Sequence, residues 1–483
     1  MTNESTEARP GSTSAPQLTG NLGVGSIVFM VVAAAAPLTV IGGNVPLAIG
    51  LGNGAGAPVG FLIASAVLFI FSIGFVTMTP HVKEAGAFFS YVTEGLGRRA
   101  GTGTAVVALI SYTAIQLGVY GYIGWAINDT VTYYNGPTVP WPVYAFATLA
   151  LVAILGYRHI ELSARVLTIA LVLEISIAVA LDISITAQGG HDGLNLTSFG
   201  PHAISSGPLG IAVLFALTGF IGFEATAVFR DEARDPARTI PRATYIAVLL
   251  IGAFYTISCW ALVIAAGVGN ADKVADKTLA GNGNMLFDTT QHYLGHAGRD
   301  IVNVLLLSSL FACVLSFHNV IARYQFVLAR RGLLPRVLGT IDATHRAPSR
   351  SSLVQTVTAA LCLLAFTIIG LDPLVGVFGS MAGVATVGMV TLMLTTSIAV
   401  LVFFAKHPEL AATKPFASRV APALAGVGLA ISAWLVLSNF TLVTGGSIAV
   451  STILALVVPI GFVVGVTQGV RLQPTELSED SRL

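Results

Sequence analysis

The sequence predicts an all-α integral membrane protein of twelve transmembrane helices, and three observations carry that expectation. Of its 483 residues, 54% are hydrophobic and 10% charged, with a mean hydropathy of +0.82, whereas a soluble globular domain carries about 25% charged residues. Apolar runs of about 20 residues, the length that crosses a bilayer core, recur at 23–50, 58–79, 101–129, 140–157, 164–186, 207–229, 242–268, 299–325, 351–370, 374–405, 420–440 and 447–467. Placing the N-terminus inside and alternating puts every one of the 24 lysines and arginines on the cytoplasmic side except Lys273, Lys277 and Arg299. That asymmetry places both termini in the cytoplasm and the chain in the cell membrane as a multi-pass protein.

Little mass remains outside the spans. Residues 1–20 are polar, rich in Ser, Thr, Gly and Pro, and read as a disordered cytoplasmic tail without the basic and apolar regions of a signal peptide. Residues 471–483 read as a second cytoplasmic tail, leaving 21–470 as the membrane domain. A net charge of +1 suggests no nucleic-acid partner. Cys259, Cys313 and Cys362 all lie in apolar runs, which suits buried thiols rather than a disulfide framework. No metal-ligand spacing, phosphate loop, nucleophile elbow or hydrolytic triad stands out, so neither an enzyme nor a cofactor is expected.

The first span, VFMVVAAAAPLTVIGGNVPLAIG, is interrupted. Pro37 removes a backbone N–H and frees the carbonyl one turn earlier. Ala33 to Ala36 permit a close approach by another backbone or a ligand, and Gly42, Gly43 and Pro46 loosen the outer half. The third span carries Tyr112, Gln116 and Tyr120 at i, i+4 and i+8, a polar-aromatic face that suits either a pathway or bonds to neighbouring helices.

Two acids lie well inside apolar runs. Glu174 sits about eight residues from either end of the fifth span, roughly 12 Å from each boundary at 1.5 Å per residue. With no cation to pair it, a carboxyl there can take up and release a proton as its hydration changes. Glu224 follows Gly219 and Gly222 in the sixth span, LFALTGFIGFEATAVF, which the charges Arg230, Asp231 and Glu232 end. A charge within the bilayer costs several kcal/mol and is accepted where a polar pathway needs it. Interrupted helices in corresponding positions of two halves point to a binding site at the midplane. In the eighth span Ser309, Cys313 and Ser316 form a stripe, with His318 and Asn319 nearer its cytoplasmic end.

Four stretches together resemble the amino acid–polyamine–organocation superfamily of permeases. They are AAAAPLTVIGG, the GFIGFE of the sixth span with RDEARDPARTIPRA after it, GAFFSYVTEGLG after the second span, and RYQFVLARRGLLP after the eighth. The resemblance implies the LeuT-type fold. Spans 1–5 (23–186) and 6–10 (207–405) would form an inverted repeat with discontinuous helices 1 and 6, and helices 11 and 12 (420–467) would be appended. It implies substrate contacts at Ala34, Ala35, Ala36 and Pro37, with a substrate carboxylate on backbone N–H groups around the three alanines. An ammonium would meet carbonyls around Phe220, Ile221 and Gly222, Phe220 and Phe223 would serve as aromatic gates, and Tyr112 and Gln116 would line the pathway. Glu224 matches a gating glutamate. Glu174 aligns with a position that carries a lysine in some proton-coupled relatives, so a proton or cation site of Glu174, Ser309 and Ser316 is expected. The sequence departs from the family at Pro37, which cannot donate an N–H to a carboxylate.

The expected function is an amino acid permease working by proton-coupled alternating access, with sodium the other candidate ion and the lipid bilayer its surroundings. A polyamine or small-amine transporter or exchanger, and a membrane sensor of transporter-like fold, are the alternatives.

Overall fold

Backbone in hydrocarbon must satisfy its own hydrogen bonds, so long apolar runs become helices. The computed structural model of the chain describes residues 22–82, 88–158, 164–342 and 347–471, and is helical almost throughout; among these residues the one extended pairing is an isolated bridge between Leu22 and Ala233. The expected terminal tails lie outside the described residues, save Arg471, which ends the last helix.

The elements used below are α1 (Val24–Ala34), α2 (37–53), α3 (Ala57–Met78), α4 (Phe88–Leu96), α5 (Arg98–Tyr133), α6 (Trp141–Tyr157), α7 (Ala164–Gln188) and α8 (Leu209–Thr218). After these come α9 (Ala225–Val228), α10 (Pro236–Ala266), α11 (Ala271–Leu279), α12 (Met285–Arg330), α13 (Ser349–Ile369), α14 (Pro373–Lys406), α15 (Phe416–Ser438) and α16 (Ile448–Arg471). Each expected span falls on helix. Among the described residues nine stretches are long and apolar enough to cross a membrane, and the first, Val24–His81, holds the first two expected spans. The apolar helices α6 and α8 are shorter. α8 ends after 10 residues, about half a bilayer core at 1.5 Å per residue, because the chain unwinds at Gly219.

One boundary differs from expectation. The connection expected at 269–298 is itself helical: α11 lies in it, and α12 begins at Met285, bending at Gly295 (φ 75°) before it enters its span. Asn284 caps α12, its side chain accepting from the Phe287 N–H at 3.1 Å.

Two groups of helices pack within themselves. α3 packs on both α8 and α10, α8 on α2 and α10 on α1, while α5, α6, α12 and α13 form the second group. α7 lies along α10 and α12, α14 packs on α5 and α15, and α16 runs beside α5. The two interrupted chains, α1–α2 and α8–α9, belong to the first group and face the second across the site.

Candidate functional site

The first interruption is a true break. α1 stops at Ala34, and Ala36 has φ 46° and ψ 71°, the left-handed region, before Pro37 opens α2. A non-glycine residue held there costs about 1–3 kcal/mol and persists only where the surroundings impose it. Beyond Pro37 the chain winds as α and π turns, with π turns at Val40–Asn44 and Ala48–Asn53. Gly42 and Gly43 have a packing reason: a Cβ on either would lie 2.6–2.7 Å from the Tyr122 ring or hydroxyl of α5.

The second interruption spans 219–224, where turns replace helix and Gly222 has φ 110°, open only to glycine. The two breaks touch, since a Cβ on Gly222 would be 3.3 Å from the Cβ of Ala34.

Between the breaks lies a small cavity of about 30 Å³. Ala34, Ala35, Ala36, Thr39, Val40 and Asn44 line it from the first interrupted chain and Thr218 and Ile221 from the second; Ile115 and Val119 of α5, Cys313 and Phe317 of α12 and Phe378 of α14 close it. Of the residues singled out from sequence, Ala34, Ala35, Ala36 and Ile221 are thus brought together. Pro37 is buried behind the lining. Phe220 and Phe223 turn away from the cavity: Phe220 stacks edge-on against Tyr255 of α10, ring centres 6.3 Å apart, and Phe223 against Phe71 of α3 at 6.1 Å. The aromatic rings at the cavity are Phe317 and Phe378.

The backbone groups at the breaks are mostly spent. On the first chain the Ala35 and Ala36 N–H groups donate to Val31 and Ala33 at 3.1 and 3.2 Å, and Pro37 has none. On the second, the Phe220 and Gly222 carbonyls accept from Phe223 and Ala225 at 3.1 Å each. Among the described residues no hydrogen bond ends on the Gly219 or Ile221 carbonyl.

Both expected acids are buried beside the breaks, outside the cavity lining. Glu224 accepts from the Tyr112 hydroxyl of α5 at 2.6 Å and from the Gly222 N–H at 2.9 Å. That first bond crosses between the two helix groups, and Tyr112 in turn packs on the cavity residue Phe317, ring centres 6.2 Å apart. Glu174 of α7 accepts from the Ser309 hydroxyl of α12 at 3.0 Å. The Leu38 N–H, left without a helical partner because Pro37 starts a new helix, lies near the same carboxyl. Ser316 is exposed, away from this pair.

Gln116 stands elsewhere. It accepts from Gln355 of α13 at 2.7 Å and lies 3.4 Å from His318 of α12, whose other ring nitrogen meets Ser352 at 2.8 Å. This network joins α5, α12 and α13. A third buried acid was not anticipated from sequence: Asp182, two turns beyond Glu174 on α7, accepts from the Ser258 hydroxyl of α10 at 2.6 Å. Its place near the end of an apolar run made it look like a boundary charge.

The amino acid permease family model matches residues 22–464. A transporter of Mycobacterium tuberculosis (strain ATCC 25618 / H37Rv) is 27% identical over 321 residues, 65% of this chain and 67% of the relative. The amino acid permease YecA of Bacillus subtilis (strain 168) is 26% identical over 300 residues, 60% of this chain and 64% of the relative. The serine/threonine exchanger SteT of the same organism is 23% identical over 312 residues, 63% of this chain and 66% of the relative. With the family match running from the bridge residue Leu22 into the last span, and both broken helices inside it, the chain belongs to the amino acid permease family of multi-pass membrane transporters.

Proposed function

We propose that this protein carries an amino acid across the cell membrane by alternating access, with the proton as coupling ion and both termini in the cytoplasm. The reading includes the two inverted repeats, 23–186 and 207–405, with 420–467 appended. The observation that carries it is the pair of unwound turns meeting at one small cavity, each with a buried carboxyl behind it. In this reading the Tyr112–Glu224 bond holds the two helix groups together on one side of the cavity, and breaking it lets the site open. Glu174 ties α7 to α12 through Ser309 and, among the described residues, has no cationic partner. A protonated Glu174 donates where the carboxylate accepted, so loading or losing the proton changes which neighbours it can hold. A proton taken up outside and released inside then travels with the substrate.

The test is uptake of a labelled amino acid panel into proteoliposomes under an imposed pH gradient or an imposed sodium gradient. Accumulation driven by the pH gradient is expected; drive by sodium alone would refute the proton assignment. A small-amine substrate is the second reading, favoured by one observation: the first interrupted chain offers a carboxylate neither the Ala35 nor the Ala36 amide.

A further inference from the structure

We infer that the cavity selects a small amino acid with an uncharged side chain, and that the Thr39 hydroxyl, rather than the Ala35 and Ala36 amides, holds its carboxylate. The inference rests on the reading of this cavity as the transport site.

A carboxylate needs donors. On the first interrupted chain the amides of Ala35 and Ala36 are bonded within it and Pro37 has none, while that of Leu38 lies by the Glu174 carboxyl. The next residue is Thr39. Its hydroxyl is buried in the cavity wall, the residue only 5% exposed, and has no hydrogen-bond partner among the described residues. A buried hydroxyl without a partner is rare and calls for one. The contrast with Thr218 is informative: that hydroxyl also faces the cavity but already meets the Leu214 carbonyl and Thr386. Across the cavity, the unspent Ile221 carbonyl can accept only from a donor, as an ammonium group is. A donor on one wall and an acceptor on the other match the two ends of an α-amino acid.

The rest of the wall sets the side chain. No lining residue carries a charge at neutral pH; Glu174 and Glu224 stand behind the lining, with both Glu224 oxygens and the Glu174 Oε2 already hydrogen-bonded. A second ammonium, a guanidinium or a second carboxylate would be buried without a partner, which is strongly unfavourable. That excludes polyamines and basic or acidic amino acids. The branched side chains of Ile115 and Val119 and the rings of Phe317 and Phe378 leave a small space, and bulk beyond a few carbons meets them.

The experiment is equilibrium binding of tritiated alanine, serine and threonine to the purified full-length protein, with unlabelled lysine, glutamate, putrescine, phenylalanine and propylamine as competitors. At least one small amino acid should bind, protect Cys313 from N-ethylmaleimide, and resist competition by the charged solutes at about 100-fold higher concentration. Thr39→Val should weaken that binding about tenfold, the loss of one hydrogen bond, while leaving competition by propylamine, which has no carboxylate, unchanged. Thr39→Ser should restore binding and shows that the site tolerates substitution. Val119→Ala, which opens the opposite wall, should improve competition by phenylalanine. Unaltered amino acid binding by Thr39→Val, or equal competition by lysine or putrescine, overturns the inference while the site stands. Failure of every solute to protect Cys313 in the folded protein removes the site reading itself.

Discussion

Tyr112→Phe isolates one bond between the two helix groups. The ring stays, so its packing on Phe317 and Tyr324, centres 6.2 and 6.3 Å away, is kept, and only the 2.6 Å bond to Glu224 is lost. A hydrogen bond to a charged group contributes about 1.5–3 kcal/mol. In the closed state the carboxyl is buried and keeps only the Gly222 N–H; in the open state water replaces the hydroxyl, so the loss falls almost wholly on the closed state. The ratio of closed to open molecules should therefore fall about 10- to 150-fold. The readout is built in: Cys313 lines the cavity, whereas Cys259 is buried and Cys362 can be replaced. With Cys313 the sole thiol, an impermeant maleimide should label the Phe variant at least about tenfold faster than the parent in inside-out vesicles. Glu224→Gln should do the same, because an amide offers one acceptor oxygen to two donors, and the double variant should add little to either single one. An unchanged labelling rate in a well-folded Tyr112→Phe protein would refute the latch.

Glu174→Gln is expected to bind and exchange substrate but lose accumulation driven by a pH gradient, and the parent's uptake should rise as external pH falls; full accumulation by the variant removes Glu174 from coupling. Ala35→Leu should fill the cavity and abolish binding of tritiated amino acids without changing the far-ultraviolet circular dichroism, and normal binding would move the site elsewhere. Gly222→Ala forces a side chain to φ 110° and sets its Cβ 3.3 Å from Ala34; thermal unfolding should show a loss of about 1–3 kcal/mol. Asp182→Asn keeps an oxygen for the Ser258 hydroxyl, so pH-gradient-driven uptake should survive it, and loss of uptake in a stable variant would give Asp182 a part in coupling.

Much of this organisation was legible in the sequence, for reasons that differ by level. Long apolar runs can only be helices in lipid, and Pro37 and Gly222 mark backbone that cannot remain helical. Which side chains face the cavity was harder to read. Phe220 and Phe223 were expected at the gate from the family resemblance; across 219–224 the chain is not helical, so helical spacing offered no check on which way they face. Gln116 shares a helix face with Tyr112, but the cavity is lined from the neighbouring face by Ile115 and Val119, and Gln116 meets α12 and α13 instead. Val119, Phe317 and Phe378 are apolar residues in apolar runs, where no pattern separates a cavity wall from a helix contact. Thr39 is set apart by a buried hydroxyl without a partner among the described residues, which only the structure shows.

The bridge at Leu22 has a mechanical consequence. The Leu22 N–H donates to Glu232 at 2.9 Å and the Arg234 N–H donates to Leu22 at 3.0 Å, so the root of α1 is riveted to the segment following α9. Both rivets are main-chain bonds, which exchanging one side chain for another leaves in place; only proline at position 22 or 234 deletes a donor outright. Two half-helices joined in this way at their free ends form a single lever pivoting at the Ala36 and Gly222 turns. Torque applied to either is delivered to both.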